Sequence, residues 1–236
     1  MKKLLVLACC MHDNADPIFR LRSSCEKLGL DFKYYGVKEI FVSWKQAKID
    51  RLSQILKEYI GQYEYTLVSD GFDTFMLQEE EQIIATFNKF NSKLVVSSEI
   101  DCSPIQELKD HYPPCTTRFR FVNGGQFMGK TEDLAEIIGT MAHCYENKVP
   151  QNRKGNDQIH WTYAYLEGKL GVTLDTECKL FLSMNGLTED EINFSGKHLE
   201  LRDNLEAPCA IHFNGPKGGT PNGLLMDKIY NKFINL

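Results

Sequence analysis

Asp70-Gly71-Phe72-Asp73 sets two carboxylates on either side of a glycine and an aromatic residue. The apolar run at 65–69 leads into it, and Gly71 lets the chain turn sharply enough for Asp70 and Asp73 to face one point. Two carboxylates so placed suit a hard divalent cation, which takes oxygen ligands and keeps positions open for water and phosphate. The same four residues also fit a plain turn in which Asp70 caps the next segment.

A second group is His212-Phe213-Asn214-Gly215-Pro216-Lys217-Gly218-Gly219. The apolar residues Cys209, Ala210 and Ile211 read as a strand that ends at His212. Gly215, Gly218 and Gly219 let backbone amides close on a phosphate, Lys217 adds a mobile positive charge, and Asn214 lies in the same loop. The glycine spacing is neither that of a P-loop nor that of a dinucleotide fingerprint. A lone histidine is usually a structural hydrogen-bonder; beside such a loop, the ligand reading gains. A mixed carboxylate and imidazole set accommodates manganese, with magnesium as the alternative ion.

Other polar positions carry two readings each. Asp157 is a helix cap, or a partner for a sugar hydroxyl or an acceptor. Glu99, at the end of an apolar run, is a solvated charge, a partner for sugar hydroxyls, or a base. Lys48 lies on the solvated face of an amphipathic helix or binds a diphosphate. Gly124-Gly125-Gln126 within a strand marks close approach by a ligand or another backbone. Trp44, Phe72 and Trp161 are core aromatics or stacking platforms for a base or sugar.

The elements that must position these residues alternate in the first half. Strands are expected at 4–10, 32–35, 65–69 and 93–98, and helices at 16–28, 48–59 and 78–90. Such β-α-β alternation predicts an α/β layer with a mostly parallel sheet, in which ligands collect at the carboxyl ends of strands. Asp70 and Glu99 stand at such ends. Residues 99–118, with Pro104, Pro113 and Pro114, read as a long loop of the kind that closes over a site. Beyond it, strands are expected at 119–128, 179–184 and 208–213, and helices at 131–145, 157–167 and 224–234. No composition break divides the 236 residues, so one domain is expected.

Net charge is −5, with no long basic run, which argues against a nucleic-acid surface. No stretch approaches the roughly 20 apolar residues of a membrane span. The apolar run at 4–10 fits a first buried strand better than an export signal. The eight cysteines form no Cys-x-x-Cys pair and read as reduced thiols in a cytoplasmic protein, with a Cys102–Cys115 bridge the minor alternative.

Taken in order, these motifs resemble the glycosyltransferase domain of procollagen lysyl hydroxylases and the related collagen galactosyl- and glucosyltransferases. The resemblance runs from about Leu4 to Gly219. It is carried by Lys48-Ile49 with Arg51-Leu52, the run from Leu67 to Asp73, Val95-Val96-Ser97-Ser98-Glu99, the run from Arg120 to Gly129, Asn156-Asp157-Gln158, Thr173-Leu174-Asp175 and the run from Ile211 to Pro216. It implies the GT-A fold, with Asp70, Asp73 and His212 holding manganese against the diphosphate of a uridine-diphosphate sugar. It further implies that Phe72 packs on uracil, Lys48 lies near the nucleotide and Asp157 lies near the transferred sugar. Phe72 stands where the family usually has tyrosine, and Gln126 where it has glycine.

The implied activity is transfer of glucose or galactose from UDP-glucose or UDP-galactose to an unidentified hydroxyl acceptor. Two other classes compete with it. One is a silent module that binds nucleotide sugar without turnover. The other is a dehalogenase-type phosphohydrolase, against which stands the placement of Asp70 after the third strand rather than the first.

Overall fold

The computed structural model describes residues 1–145, 147–195, 198–201, 207–215 and 221–235. The first apolar run forms β1 (Lys2–Cys9), in which Leu5, Leu7 and Cys9 enter one cluster while Leu4, Val6 and Ala8 enter another. Burial on both faces explains why the run is continuous rather than alternating. β1 lies parallel to both β2 (Asp31–Tyr35) and β3 (Tyr63–Asp70). β3 pairs antiparallel with β6 (Phe121–Lys130), which pairs antiparallel with β5 (Leu94–Glu99). β7 (Val172–Leu174) runs parallel to β5 and completes the order β2-β1-β3-β6-β5-β7. The sheet is thus mixed and mostly parallel, as the alternation of elements predicts.

Helices cover both faces. α1 (Phe19–Lys27) and α3 (Glu80–Asn88) bury Leu21, Cys25, Ile83 and Phe87 on the Leu4 side. α2 (Leu52–Tyr59), α4 (Thr131–Cys144) and α5 (Asp157–Glu167) bury Leu52, Leu134 and Ile159, with their neighbours, on the Leu5 side. The helix expected from Lys48 starts differently. Residues Gln46–Arg51 form a π-helical turn before α2, and widened turns of this kind are frequent at functional sites.

A second, three-stranded sheet was only partly legible. β4 (Thr74–Met76) starts directly after Asp73 and pairs antiparallel with β11 (Ala210–His212). β11 pairs parallel with β8 (Phe181–Ser183). α6 (Pro221–Ile234) packs Met226, Ile229 and Phe233 into the same cluster as Phe75 and Phe213. Strands β9 (Ile192–Ser195) and β10 (His198–Leu201) pair antiparallel and were not expected from the sequence.

The long loop after β5 is fastened to the body. The Arg120 guanidinium donates to the carbonyls of Lys109, Tyr112 and Pro113, and that of Arg153 donates to Pro104 O at 2.7 Å. All eight cysteines are free thiols, so Cys102 and Cys115 are not bridged. Among the described residues, no helix is long and apolar enough to cross a membrane.

Candidate metal centre

Asp70, Asp73 and His212 meet because of one strand pairing. β3 ends at Asp70, the chain turns through Gly71 and Phe72, and β4 begins after Asp73. β11 then lies against β4 with His212 opposite Thr74, and the Phe213 amide donates to Asp73 O at 2.8 Å. His212 Nε2 comes to 3.2 Å from Asp73 Oδ2 and 3.7 Å from Asp70 Oδ2. One ligand atom from each of the three residues lies within 4.8 Å of the others. The turn reading of Asp70 therefore gives way to a cluster with the donor chemistry of a divalent-cation site.

The fit of such an ion can be judged from the protein atoms. Asp73 and His212 are nearly inaccessible to water, and two carboxylates brought this close repel one another unless a cation lies near. Burial lowers the His212 pKa, but the Asp73 and Asp70 carboxylates outweigh it and leave the net value raised. The ring thus prefers a positive charge at the point where a metal would supply one. Its Nδ1 is buried without a hydrogen-bond partner. The donor set fits a divalent cation.

Lys48 is not on a solvated face. Its side chain is largely buried, with Nζ 2.6 Å from Asp70 Oδ1 and 3.0 Å from Asp157 Oδ2. Burial lowers its pKa, yet Asp157 and Asp70 together raise the net value, so the ammonium stays charged. Asp157 does not cap α5; the Asn156 side chain does, accepting from the Ile159 amide at 3.3 Å. That leaves the Asp157 carboxylate for Lys48. These groups, with Trp44, Phe72, Asp73 and Gln158, line a cleft of about 300 Å³. Trp44 and Phe72 are therefore available to a ligand, whereas Trp161 is fully buried against Phe127 and belongs to the core.

Glu99 is buried and belongs to a polar network rather than to solvent. It accepts from Gln158 Nε2 at 3.1 Å and from Asn214 Nδ2 at 2.8 Å. Burial pushes its pKa up to about 7, against the opposing pull of His212 and of hydrogen bonds from Asn123 and Asn214. Gln158, which sequence reasoning left without a role, also accepts from the Gly124 amide at 2.6 Å and donates to Val122 O. It joins the cleft to Glu99. Asn214 accepts from the Asn185 amide at 3.1 Å, so both ends of its side-chain amide have protein partners. Gly215 turns with φ +97°, a left-handed conformation that suits glycine. Lys217, Gly218 and Gly219 lie outside the described residues.

Gly124 and Gly125 mark close approach, but by side chains rather than by a ligand or backbone. They sit with Gln126 in an irregularity where β6 shifts register against β5. A Cβ on Gly124 would come within 2.8 Å of Trp161 Nε1, and one on Gly125 within 2.7 Å of His212 Nδ1. Gln126 is buried and donates to Ser69 Oγ at 3.1 Å, an anchor between strands.

A parallel-rich sheet with flanking helices, with a carboxylate–histidine cluster where β3 hands over to the smaller sheet, is the arrangement of a GT-A-type glycosyltransferase domain. The same fold is seen in the crystal structure of a glycosyltransferase involved in the glycosylation of the major capsid of PBCV-1. It superposes with a TM-score of 0.57 over 96% of this chain and 98% of that one, at 12% identity. The chain belongs to the family of PLOD glycosyltransferase domains, whose model, "PLOD GT domain", matches residues 1–227.

Curated relatives share about a quarter of their residues with it. The Caenorhabditis elegans multifunctional procollagen lysine hydroxylase and glycosyltransferase is 27% identical, over 90% of this chain and 30% of its own length. Mouse procollagen-lysine,2-oxoglutarate 5-dioxygenase 2 is 23% identical, over 91% and 30%. The uncharacterized protein R699 of Acanthamoeba polyphaga mimivirus is 24% identical, over 85% and 44%. The chain spans less than half the length of each of these relatives.

Proposed function

We propose that this glycosyltransferase domain moves a hexose, glucose or galactose, from a UDP-sugar to a hydroxyl acceptor, with manganese as the preferred ion. The observation that carries the reading is the convergence of Asp70, Asp73 and His212 beside a cleft that also presents Lys48 and Asp157. When bound, the ion supplies charge neutralisation for the departing diphosphate.

The chain's own groups then divide the remaining work. Phe72 and Trp44 offer faces for the uracil ring, and Lys48 offers an ammonium for the diphosphate. Asp157 lines the cleft and is assigned to orient the sugar hydroxyls. Glu99 is assigned to receive the acceptor proton. Its pKa of about 7 matches that of a base working near neutrality, and Gln158 fixes its place behind the cleft wall.

Family membership favours the transferase over a phosphohydrolase, and no member of the metal trio is lost, as a silent module would permit. The test is a panel of nucleotide sugars with manganese and simple hydroxyl acceptors, following nucleotide release. Uridine-linked hexose donors should be consumed, and EDTA should stop the reaction. Tight donor binding with no turnover for any acceptor would support the silent module instead.

A further inference from the structure

The Asp70 carboxylate is divided between the candidate metal trio and the Lys48 ammonium. Its Oδ2 faces His212 within the metal trio, while its Oδ1 is held by the Lys48 ammonium at 2.6 Å. The same ammonium reaches Asp157 Oδ2 at 3.0 Å, and both side chains of that second pair are largely buried. The π-helical turn at Gln46–Arg51 carries Lys48, and the Trp44 ring lies 5.7 Å from its Nζ. Lys48 thus stands within the cluster that would hold the ion, as a charge already satisfying one ligand.

We propose that Lys48 is an internal counter-cation that makes metal binding conditional on the nucleotide diphosphate. The inference rests on Asp70, Asp73 and His212 being the metal ligands. With no nucleotide present, the ammonium neutralises Asp70 and repels a second cation brought into a site largely shielded from water, where like charges interact strongly. A diphosphate entering the cleft brings negative charge that the ammonium and the ion can share. Lys48 keeps Asp157 as a partner throughout, so loosening its bond to Asp70 does not strand a buried charge. Coupling of this kind is reciprocal, and the ion must strengthen nucleotide binding by the same factor.

The experiment titrates Mn²⁺ into the full chain with and without UDP, reading free ion by electron paramagnetic resonance. It compares wild type with Lys48→Met, Lys48→Gln and Asp73→Ala, all checked for folding by circular dichroism. Wild type should bind Mn²⁺ about tenfold or more tightly when UDP is present, within the usual range of coupling. Either Lys48 variant should bind Mn²⁺ alone about tenfold more tightly than wild type, with most of the UDP enhancement lost.

Folded Lys48 variants that bind Mn²⁺ alone no better than wild type would overturn the proposal. So would a wild-type Mn²⁺ affinity that UDP does not change, a result that needs no variant to fold. Asp73→Ala separates the two layers. If wild type binds no better than Asp73→Ala in either condition, the metal reading itself fails; binding that depends on Asp73 but not on Lys48 removes only the counter-cation.

Discussion

Gly125 and His212 are packed so closely that a Cβ at position 125 would lie 2.7 Å from His212 Nδ1. A strand residue is therefore glycine because the His212 imidazole from another sheet occupies the space its side chain would need. Gly125→Ala should push His212 away from Asp73. Overpacking of this kind costs about 1–3 kcal/mol of stability. Manganese affinity should fall about tenfold or more while the α/β fold persists, because a ligand displaced by a fraction of an ångström spoils the site's geometry. Titration calorimetry alongside a thermal melt would check both effects. A variant with wild-type metal affinity would show that His212 is not a ligand.

Glu99 yields predictions of opposite sign for activity and stability. Its folded pKa of about 7 lies above the ordinary 4.5, because burial penalises the charged carboxylate. In metal-free protein, the stability tied to the neutral form is fully present below about pH 4.5 and is lost as pH rises through about 7. Glu99→Gln cannot ionise, so its stability relative to wild type should improve between pH 5.5 and pH 8.5, by up to about 3 kcal/mol, on top of a pH-independent cost of turning an NH2 toward Gln158 or Asn214. As a base Glu99 must be ionised, so kcat/KM in wild type should rise with pH through the Glu99 pKa, which a bound cation beside His212 draws below 7. In Glu99→Gln the rate should drop by about 10²–10⁴ and that limb of the profile should vanish. Denaturant melts at pH 5.5 and 8.5, together with a pH–rate profile, test both halves.

Asn156 and Asp157 are neighbours with separable jobs. Asn156→Ala removes the helix cap and should cost about 1 kcal/mol of stability, read in a denaturant melt. Asp157→Asn should leave the cap intact and strike activity, since its carboxylate faces Lys48 and the cleft. If Asp157→Asn retained full kcat/KM, its assigned role toward the sugar would be wrong.

Asp175 tests the framework rather than the chemistry. It is fully buried, and its carboxylate accepts from the amides of Lys179, Leu180 and Phe181 at 3.0, 2.7 and 2.9 Å. Burial pushes its pKa up to about 6, and those three amides oppose the shift. Asp175→Asn would turn a donor NH2 toward backbone donors on at least one side. The loss should be about 2–4 kcal/mol, seen as a lower denaturation midpoint with an unchanged m-value.

The strand ends of the site could be read from the sequence because long apolar runs are sharply bounded. Asp70, Glu99 and His212 each follow such a run, and each closes a strand. Lys48 and Asp157 stayed ambiguous because their meaning lies in an ion pair between distant segments, and neither segment's periodicity records its partner. Asp157 looked like a cap because the true cap, Asn156, is the adjacent residue and equally suited to the task. Strands β4 and β7, three residues each, were not expected from the sequence. The glycines at 124 and 125 were legible as a close approach, but not as one by Trp161 and His212, which lie far along the chain.

Asp70, Asp73 and His212 are proposed as the ion site of a UDP-hexose-dependent transferase. The most direct measurement of that role is UDP release from UDP-glucose and UDP-galactose with manganese, comparing wild type with Asp73→Ala. Wild type should release UDP from at least one donor, and that release should be abolished by EDTA and reduced about a thousandfold or more by Asp73→Ala, in keeping with removal of a major electrostatic stabiliser. Donor consumption that continues undiminished in Asp73→Ala, or that proceeds in EDTA, would contradict it.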